Sequence, residues 1–266
     1  MHYSFFINMQ AVVPMRREPK ETSEMVSQLL FGEFGCVLET SDSFVRIKNH
    51  YDAYVGWVDA KMVLGISKEE HDALLAGPAG RICQPMVEAT NELDSTTLRL
   101  PGGALLPCYD AEAGTCSLGE KFRYKVSSQF VVETVAANPA AIAATARQFL
   151  NAPYLWGGKN VFGIDCSGLV QVAASVNGYL LPRDASQQVE VGRQIMLLGD
   201  TSPGDLAFFE KNGKITHVGI LLSPATIIHA SGHVKIEKID DIGIISSASG
   251  EYTHHLAAIR TLFQSV

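Results

Sequence analysis

The chain of 266 residues lacks three features, each of which is typical of a different class of proteins. It has no apolar run of the roughly 18 residues that a membrane-spanning helix needs. Its five cysteines contain no CxxC pair, so a zinc site is not expected, and we predict neither a metal nor a cofactor. Positive charge is scarce, since 21 Lys and Arg face 28 Asp and Glu, so nucleic acid and membrane surfaces are not expected partners.

The thiols and the N-terminus both favour a cytoplasmic location. Scattered cysteines, odd in number, fit a reducing compartment better than a disulfide framework. Residues 1–13 lack a basic segment, and Asn8 and Gln10 interrupt their short apolar part, so they do not match a signal peptide. A hydrophobic content of 47% predicts a sizeable core, and we expect a monomer.

One cysteine lies at the predicted start of a helix. After Cys166, apolar residues such as Leu169 and Val170 recur at helical spacing, and Gly178 marks a stop. Asp165 lies where an N-cap belongs. The helix dipole would lower the pKa of the Cys166 thiol (roughly 3.5–7.5 at such sites), and backbone N–H groups there would face an oxyanion. The alternative is an inert buried cysteine, the usual role of this residue type.

Two histidines follow on predicted strands. Asn212-Gly213 predicts a hairpin turn before the strand that carries His217, and His229 lies in the next β-rich run. A lone histidine in a strand is more often a packed residue. Two of them downstream of a helix-start cysteine supply a base and an orienting group. We expect His217 to take the thiol proton and His229 to hold its ring in the useful tautomer.

A series of short motifs runs through the C-terminal half of the chain. They are Tyr154 with Trp156-Gly157-Gly158, Asp165-Cys166-Ser167-Gly168-Leu169, Pro182-Arg183-Asp184, Pro203-Gly204-Asp205-Leu206, His217-Val218-Gly219-Ile220 and Ile228-His229-Ala230. In this order they resemble the NlpC/P60 family of papain-like cysteine peptidases. The resemblance implies an α+β fold with Cys166 as nucleophile, His217 as base and His229 as third polar residue. Such peptidases cleave stem peptides of bacterial cell wall, commonly between D-glutamate, through its γ-carboxyl, and a diamino acid.

The N-terminal half predicts short strands separated by Gly, Asp and Ser, which is typical of small β-barrels. Residues 1–65 resemble a bacterial SH3 (SH3b) domain through Val-Pro-Met-Arg, Leu-Phe-Gly-Glu and Tyr-Val-Gly-Trp-Val. Residues 66–78 are predicted as a helical linker, with Ser67 and Glu70 as a capping box. Residues 79–137 resemble a second, more divergent SH3b unit. The peptidase domain then spans 138–266 and opens with a helix that Asn138 caps and whose apolar stripe is Ile142, Ala146, Phe149 and Leu150.

Further residues are candidate substrate contacts. Tyr154 would turn its hydroxyl toward the nucleophile or the oxyanion, or else be a core aromatic. Trp156 would contact substrate or pack beside the glycines. Asp165 has two roles open to it, helix cap and substrate ligand, and Ser167 follows in the same motif.

The architecture resembles that of the cytoplasmic murein-recycling members, γ-D-glutamyl-L-diamino acid endopeptidases of the dipeptidyl-peptidase VI type. In those enzymes an acid at the position of Asp184 binds the free amine of an N-terminal L-alanine. Ser186 is a neighbouring candidate, although Ala185 stands where those members often have a polar residue. Asp184 would otherwise only cap the next helix.

The same resemblance implies that the first barrel closes one end of the cleft. It would bring a glutamate and a tyrosine to the ammonium, for which Glu33 and Tyr54 are the candidates, with Tyr51 in reserve. A glutamate such as Glu33 would otherwise be a solvated surface residue. A closed cleft makes the enzyme a trimmer of free stem peptides that releases L-Ala-γ-D-Glu.

Three other interpretations stay open. The same chemistry would serve an exported endopeptidase that acts on intact peptidoglycan, with the SH3b units as wall-binding modules. In a second, non-enzymatic interpretation, the barrels bind a peptide partner and the peptidase domain is an inactive scaffold. The thioester route would also support acyl transfer. Preference between lysine and diaminopimelate as the diamino acid is left open.

Overall fold

The computed structural model describes residues 3–133 and 139–262. By their internal contacts the residues divide into two compact units, Met1–Thr134 (unit 1) and Val135–Val266 (unit 2). In the described ranges, no helix combines the length and the apolar character needed to cross a membrane.

Unit 1 is built from short antiparallel strands. Its strands are β1 (Phe5–Ile7), β2 (Val12–Arg16), β3 (Met25–Leu30), β4 (Phe34–Ser41), β5 (Phe44–Asn49), β6 (Val55–Asp59), β7 (Leu64–Ile66), β8 (Ala79–Ile82), β9 (Met86–Asn91), β10 (Thr97–Pro101), β11 (Leu105–Pro107), β12 (Tyr109–Asp110), β13 (Thr115–Leu118), β14 (Phe122–Lys125) and β15 (Val131–Glu133). Helix α1 (Lys68–Ala76) separates β7 from β8, and 3-10 turns occupy Ala60–Met62 and Ser128–Phe130.

Strands β1 to β7 form one sheet in the order β3-β2-β6-β5-β4-β1-β7. Alternate residues point inward, as period-two strands require, so Val13 and Met15 of β2 are buried with Ile47 and Val58 in one core. The later strands form two sheets, β10-β9-β14-β13-β12 and β11-β8-β15. Gly32 lets the two parts of unit 1 approach, because its φ is +77° and a Cβ there would lie 2.1 Å from the carbonyl oxygen of Leu105.

Helix α1 confirms the predicted capping box. The Ser67 side chain accepts a hydrogen bond from Glu70 N (3.2 Å), and Glu70 Oε2 accepts one from Ser67 N (2.8 Å). Two otherwise unpaired donors of the first turn are therefore satisfied. Gly77 ends the helix as predicted.

Unit 2 places its α-helices before its main sheet. Its elements are α2 (Pro139–Arg147), β16 (Lys159–Asn160), β17 (Gly163–Ile164), α3 (Cys166–Val176), α4 (Ala185–Gln188), β18 (Arg193–Ile195), a 3-10 turn (Leu198–Asp200), β19 (Leu206–Lys211), β20 (Lys214–Ser223), β21 (Thr226–Ser231), β22 (His233–Ile239), β23 (Gly243–Ile245) and β24 (Tyr252–Thr261). The main sheet runs β18-β24-β19-β20-β21-β22-β23, and β24 also pairs with β23, so the sheet closes on itself.

Two turns of unit 2 confirm local predictions. Asn212 and Gly213 both have positive φ, at 55° and 73°, and connect β19 to β20 as the hairpin signal predicted. Gly178, with φ at +84°, follows the C-cap of α3.

Helix α2 begins at Pro139, the predicted first helical position, but differs from the prediction at its C-terminal end. The predicted cap Asn138 lies outside the described residues. The helix ends at Arg147, so Phe149 and Leu150 are beyond it and no longer follow helical spacing. Phe149 is buried, but Leu150 is 39% exposed, and its place in the apolar stripe was wrong.

Candidate active site

The N-terminus of α3 carries the candidate nucleophile, Cys166. Asp165 Oδ1 accepts a hydrogen bond from Gly168 N at 2.7 Å, which confirms Asp165 as the N-cap. Its other oxygen, Oδ2, accepts one from Gly157 N at 2.8 Å, so the cap also holds the preceding loop. A side chain at position 168 would not fit, because a Cβ there would lie 2.3 Å from the carbonyl oxygen of Gly158. Local sequence therefore determines how the helix start packs.

Arg183 neutralises the buried carboxylate beside the nucleophile. Its guanidinium donates to Asp165 Oδ1 (3.0 Å) and Oδ2 (2.6 Å), and also to Ser167 Oγ (2.8 Å). The side chains of Arg183 and Asp165 are only 1% and 5% exposed. Both Asp165 oxygens are thus engaged within the protein, which favours the cap role; binding of substrate by Asp165 or Ser167 stays a prediction.

The Cys166 thiol is neutral in the free protein. Burial raises its pKa to about 11, and the negative charge of Asp165 acts in the same direction. Hydrogen bonds from the backbone N–H groups of Val218 and Ser167 act against this rise without cancelling it. The predicted low thiol pKa was therefore wrong, since burial outweighs the helix dipole. The Val218 contact places the sulfur beside β20, the strand that carries His217.

His217, His229 and Glu237 form a hydrogen-bonded chain. His217 Nε2 lies 2.8 Å from His229 Nδ1, and His229 Nε2 lies 3.0 Å from Glu237 Oε2. All three residues are buried. Burial lowers the pKa of His217 well below its usual value and that of His229 to about 4, so both rings are neutral near pH 7.

The protonation of this chain follows from its last member. Burial alone would raise the pKa of Glu237, but hydrogen bonds from Ser247, His229 and Lys235 bring it to about 2. An ionised carboxylate only accepts, so His229 Nε2–H must be the donor. A neutral His229 then has its lone pair on Nδ1 and accepts from His217 Nε2–H. The free lone pair of His217 is consequently on Nδ1, which is the atom available to act as base.

His254 completes a cluster that the sequence did not indicate. Its ring stacks on His217, with centroids 4.1 Å apart and an interplanar angle of 28°. Of the described residues, His217, His229 and His254 are the group able to hold a metal ion, with ligand atoms within 4.8 Å of one another. A metal bound by His229 would displace one of the two hydrogen bonds that its ring nitrogens make, to His217 or to Glu237.

The remaining candidates of unit 2 surround α3 and α4. Burial raises the pKa of Tyr154 to about 12, and its neighbours Cys166 and Asp165 act in the same direction. Trp156 is 57% exposed, which disfavours the packing role. Half-buried Asp184 occupies the N-cap position of α4, where its N–H donates to Gln187 Oε1 at 3.3 Å, and Ser186 is exposed.

Glu33 and Tyr54 lie in unit 1. Glu33 is 4% exposed, and its Oε2 accepts from Leu30 N (3.1 Å) and Asn49 Nδ2 (3.3 Å), so the solvated alternative was wrong. Tyr54 is half-buried against the core of the first sheet. The reserve candidate Tyr51 lies under Arg81, whose guanidinium carbon is 4.9 Å from the ring centroid. A role for these residues at the ammonium stays a prediction.

The sequence reasoning missed Arg183, Glu237 and His254 as members of the site. Arg183 belongs to a quoted motif but received no role. In the β21–β22 pairing, His229 is opposite Lys235, and Glu237 lies two residues further along the same face. Only this register shows that Glu237 lies near His229. The alternating pattern of residues 234–239 does not say which residue of the neighbouring strand Glu237 faces.

Comparison with known proteins decides the family. A family model described as the NlpC/P60 family matches residues 151–255, and one described as the bacterial dipeptidyl-peptidase SH3 domain matches residues 15–62. A γ-D-glutamyl-L-lysine dipeptidyl-peptidase of Bacillus subtilis is 30% identical over 254 residues, which cover 89% of this chain and 81% of the relative. The chain belongs to the NlpC/P60 family. It is a cysteine peptidase with an N-terminal bacterial SH3 domain, as its motifs predicted.

Other relatives agree along the whole chain. Dipeptidyl-peptidase 6 of Lysinibacillus sphaericus is 25% identical over 84% of this chain and 88% of its own. The crystal structure of an NlpC/P60 family protein from Bacillus cereus superposes with a TM-score of 0.83 at 17% identity, covering 97% of this chain and 99% of that one. This NlpC/P60 peptidase therefore shares its fold with that protein.

Proposed function

We propose that this peptidase hydrolyses the γ-D-glutamyl–diamino acid bond of murein stem peptides that have a free N-terminal L-alanine, releasing L-Ala-γ-D-Glu. The observation that carries the proposal is the position of His217. It is hydrogen-bonded to His229 and lies on β20 next to Val218, whose N–H faces the Cys166 sulfur. The choice of substrate rests on relatives named for γ-D-glutamyl-L-lysine dipeptidyl-peptidase and dipeptidyl-peptidase 6 activity, which match along most of the chain.

The reaction starts from a neutral thiol and a neutral imidazole. As the Cys166 sulfur attacks the γ-carbonyl carbon, its proton passes to His217 Nδ1, and His229 accepts the Nε2–H of the resulting imidazolium. Backbone N–H groups at the start of α3, assisted by the Tyr154 hydroxyl, stabilise the oxyanion. His217 then protonates the leaving amine of the diamino acid. Water, deprotonated by the same imidazole, hydrolyses the thioester and restores the thiol.

Recognition of the free N-terminus is assigned to acidic side chains. The Asp184 carboxylate would pair with the ammonium of L-alanine, an attraction that a buried or half-buried setting strengthens. By the family resemblance, Glu33 and Tyr54 act on the same ammonium, and Trp156 and Ser186 contact the peptide. An N-acetylated stem would lose the charge that these groups recognise.

The finer architecture and the setting belong to the same proposal. The antiparallel sheets between residues 79 and 133 support a second SH3-like barrel, and the helices that precede the sheet of unit 2 support a papain-like α+β arrangement. We place the enzyme in the cytoplasm, as a monomer that recycles cell-wall peptides. An exported endopeptidase acting on intact peptidoglycan is the alternative that the assay below separates.

The test compares L-Ala-γ-D-Glu-diaminopimelate with its N-acetylated form, the L-lysine peptide, and purified peptidoglycan, with products identified by mass spectrometry. We expect cleavage of the free-amine peptides alone. The Cys166→Ala variant should be inactive, whereas Cys36→Ala in unit 1 should retain full activity. Equal cleavage of free and acetylated peptides, or release of fragments from peptidoglycan, would contradict recognition of the free amine. An active Cys166→Ala variant would overturn the mechanism.

A further inference from the structure

We propose that Glu237 is a positioning residue that sets the tautomer of the His217 base through His229. The inference rests on the proposed function, in which His217 Nδ1 takes the thiol proton. We call Glu237, His229 and His217 the tautomer relay. The relay predicts that the acceptor character of a single buried carboxylate decides which nitrogen of His217 is basic.

The surroundings of Glu237 require an ionised carboxylate. Its side chain is 1% exposed. Oε2 accepts from His229 Nε2 (3.0 Å) and Lys235 Nζ (3.3 Å), and Oε1 accepts from Ser247 N (2.9 Å) and Ser247 Oγ (3.1 Å). All four neighbouring groups donate to the carboxylate. A side chain that itself donates, such as an amide, would therefore point one of its hydrogens at the hydrogen of a neighbouring donor.

Stability alone does not account for a carboxylate at this place. Burying an ionised group is costly before its partners compensate, and apolar residues of similar size often stabilise a core as well or better. Every donor to Glu237 lies in or beside the sheet that carries the candidate base: His229 on β21, Lys235 on β22 and Ser247 shortly after β23. The arrangement is therefore explained by the direction it imposes on the His229–His217 hydrogen bond.

Glutamine at position 237 should reverse the relay. Its oxygen would stay with Ser247, because the backbone N–H of Ser247 has a fixed direction and needs an acceptor. Its amide nitrogen would then donate to His229 Nε2, while the partly exposed Lys235 turns to solvent. His229 would become the Nδ1–H tautomer and donate to His217 Nε2. His217 would carry its hydrogen on Nδ1 and would present no lone pair to the thiol.

The decisive experiment compares Glu237→Gln, Glu237→Ala and Glu237→Asp with the wild type and with Glu210→Gln, an exposed matched control. For Glu237→Gln we expect kcat to fall by up to about 10⁴-fold, the effect of a wrong imidazole tautomer in a hydrolase triad, with little change in KM. The Ala variant, which imposes no tautomer, should retain more activity than the Gln variant although it removes more contacts. The Asp variant should recover activity because it remains an acceptor.

Nitrogen-15 NMR of the histidine rings gives a readout that a structural role would not move. In the wild type, the relay predicts protonated Nε2 and unprotonated Nδ1 on both His217 and His229, and in Glu237→Gln the reverse on both. A folded Glu237→Gln variant with wild-type kcat, or losses in all three variants that follow only their Tm, would overturn the inference. Failure of the wild type to cleave any stem peptide would refute the proposed function, while the NMR comparison would still decide the tautomer.

Discussion

The two sides of the site are built on different principles. On the helix side, Asp165 and Arg183 form a fully charged buried pair next to a sulfur whose pKa burial raises to about 11. On the strand side, His217 and His229 are neutral and are held by Glu237. The helix side fixes the position of the nucleophile, whereas the strand side fixes a proton. On the helix side the Asp165–Arg183 ion pair holds the nucleophile in place. On the strand side the charge of Glu237 sets the direction of the hydrogen bonds.

Arg183→Met should give the largest loss of stability, because it leaves Asp165 buried and ionised without its partner. Removing one member of such a pair costs about 3–5 kcal/mol. Urea unfolding of the full chain measures the loss, with Arg193→Met, an exposed arginine on β18, as the control. A loss below that of the control would show that backbone donors to Asp165 suffice, and would weaken the contrast between the two sides.

The strand side should appear in the pH dependence of stability. The folded-state pKa of His229 is about 4, below the ordinary value of 6.5, so between these values the unfolded chain binds a proton that the folded chain does not. Its contribution is complete above pH 6.5 and falls progressively down to pH 4, by about 3 kcal/mol. The pKa of His217 is lowered as well and adds in the same direction.

This dependence is measured by urea unfolding at pH 7.5 and pH 4.5. In a Trp57→Phe background, Trp156 reports on unit 2 by its fluorescence. His229→Gln removes one of the two titrating groups and should reduce the slope to the part that His217 contributes, with replacement of the exposed His233 as the control for loss of an imidazole. Equal slopes for His229→Gln and the wild type would show that His229 does not titrate as inferred.

The same division explains how far the sequence could be interpreted. The helix side is local: the cap, the helix and its stop lie within residues 165–178, and their spacing predicted all three. The strand side depends on register. Glu237 acts through the β21–β22 pairing, and His254 reaches His217 because β24 pairs with both β19 and β23. The thiol pKa was mispredicted for a related reason, since burial is set by packing and not by position in the helix.

Gly168→Ala should disturb the helix side by shape alone. A Cβ at this position would lie 2.3 Å from the Gly158 carbonyl oxygen, so the start of α3 must shift. We expect a loss of about 1–3 kcal/mol, typical of overpacking, together with a fall in kcat as the sulfur moves. Gly199→Ala is the matched control, because nothing lies within 4 Å of its added Cβ. Unchanged kcat in Gly168→Ala would mean that the nucleophile tolerates movement of its helix.

Ser67→Ala tests the smallest effect, at a helix cap whose side chain is an uncharged hydroxyl. Ser67 and Asp165 both accept from the N3 backbone N–H of their helices, but Ser67 is exposed and lies in unit 1. Loss of such a cap costs about 1 kcal/mol, and kcat should not change. Urea unfolding and the peptide assay measure the two quantities, with Ser95→Ala, an exposed loop serine, as the control. A cost near that of Arg183→Met would imply that the cap itself, and not the buried ion pair, accounts for the stability of the helix start.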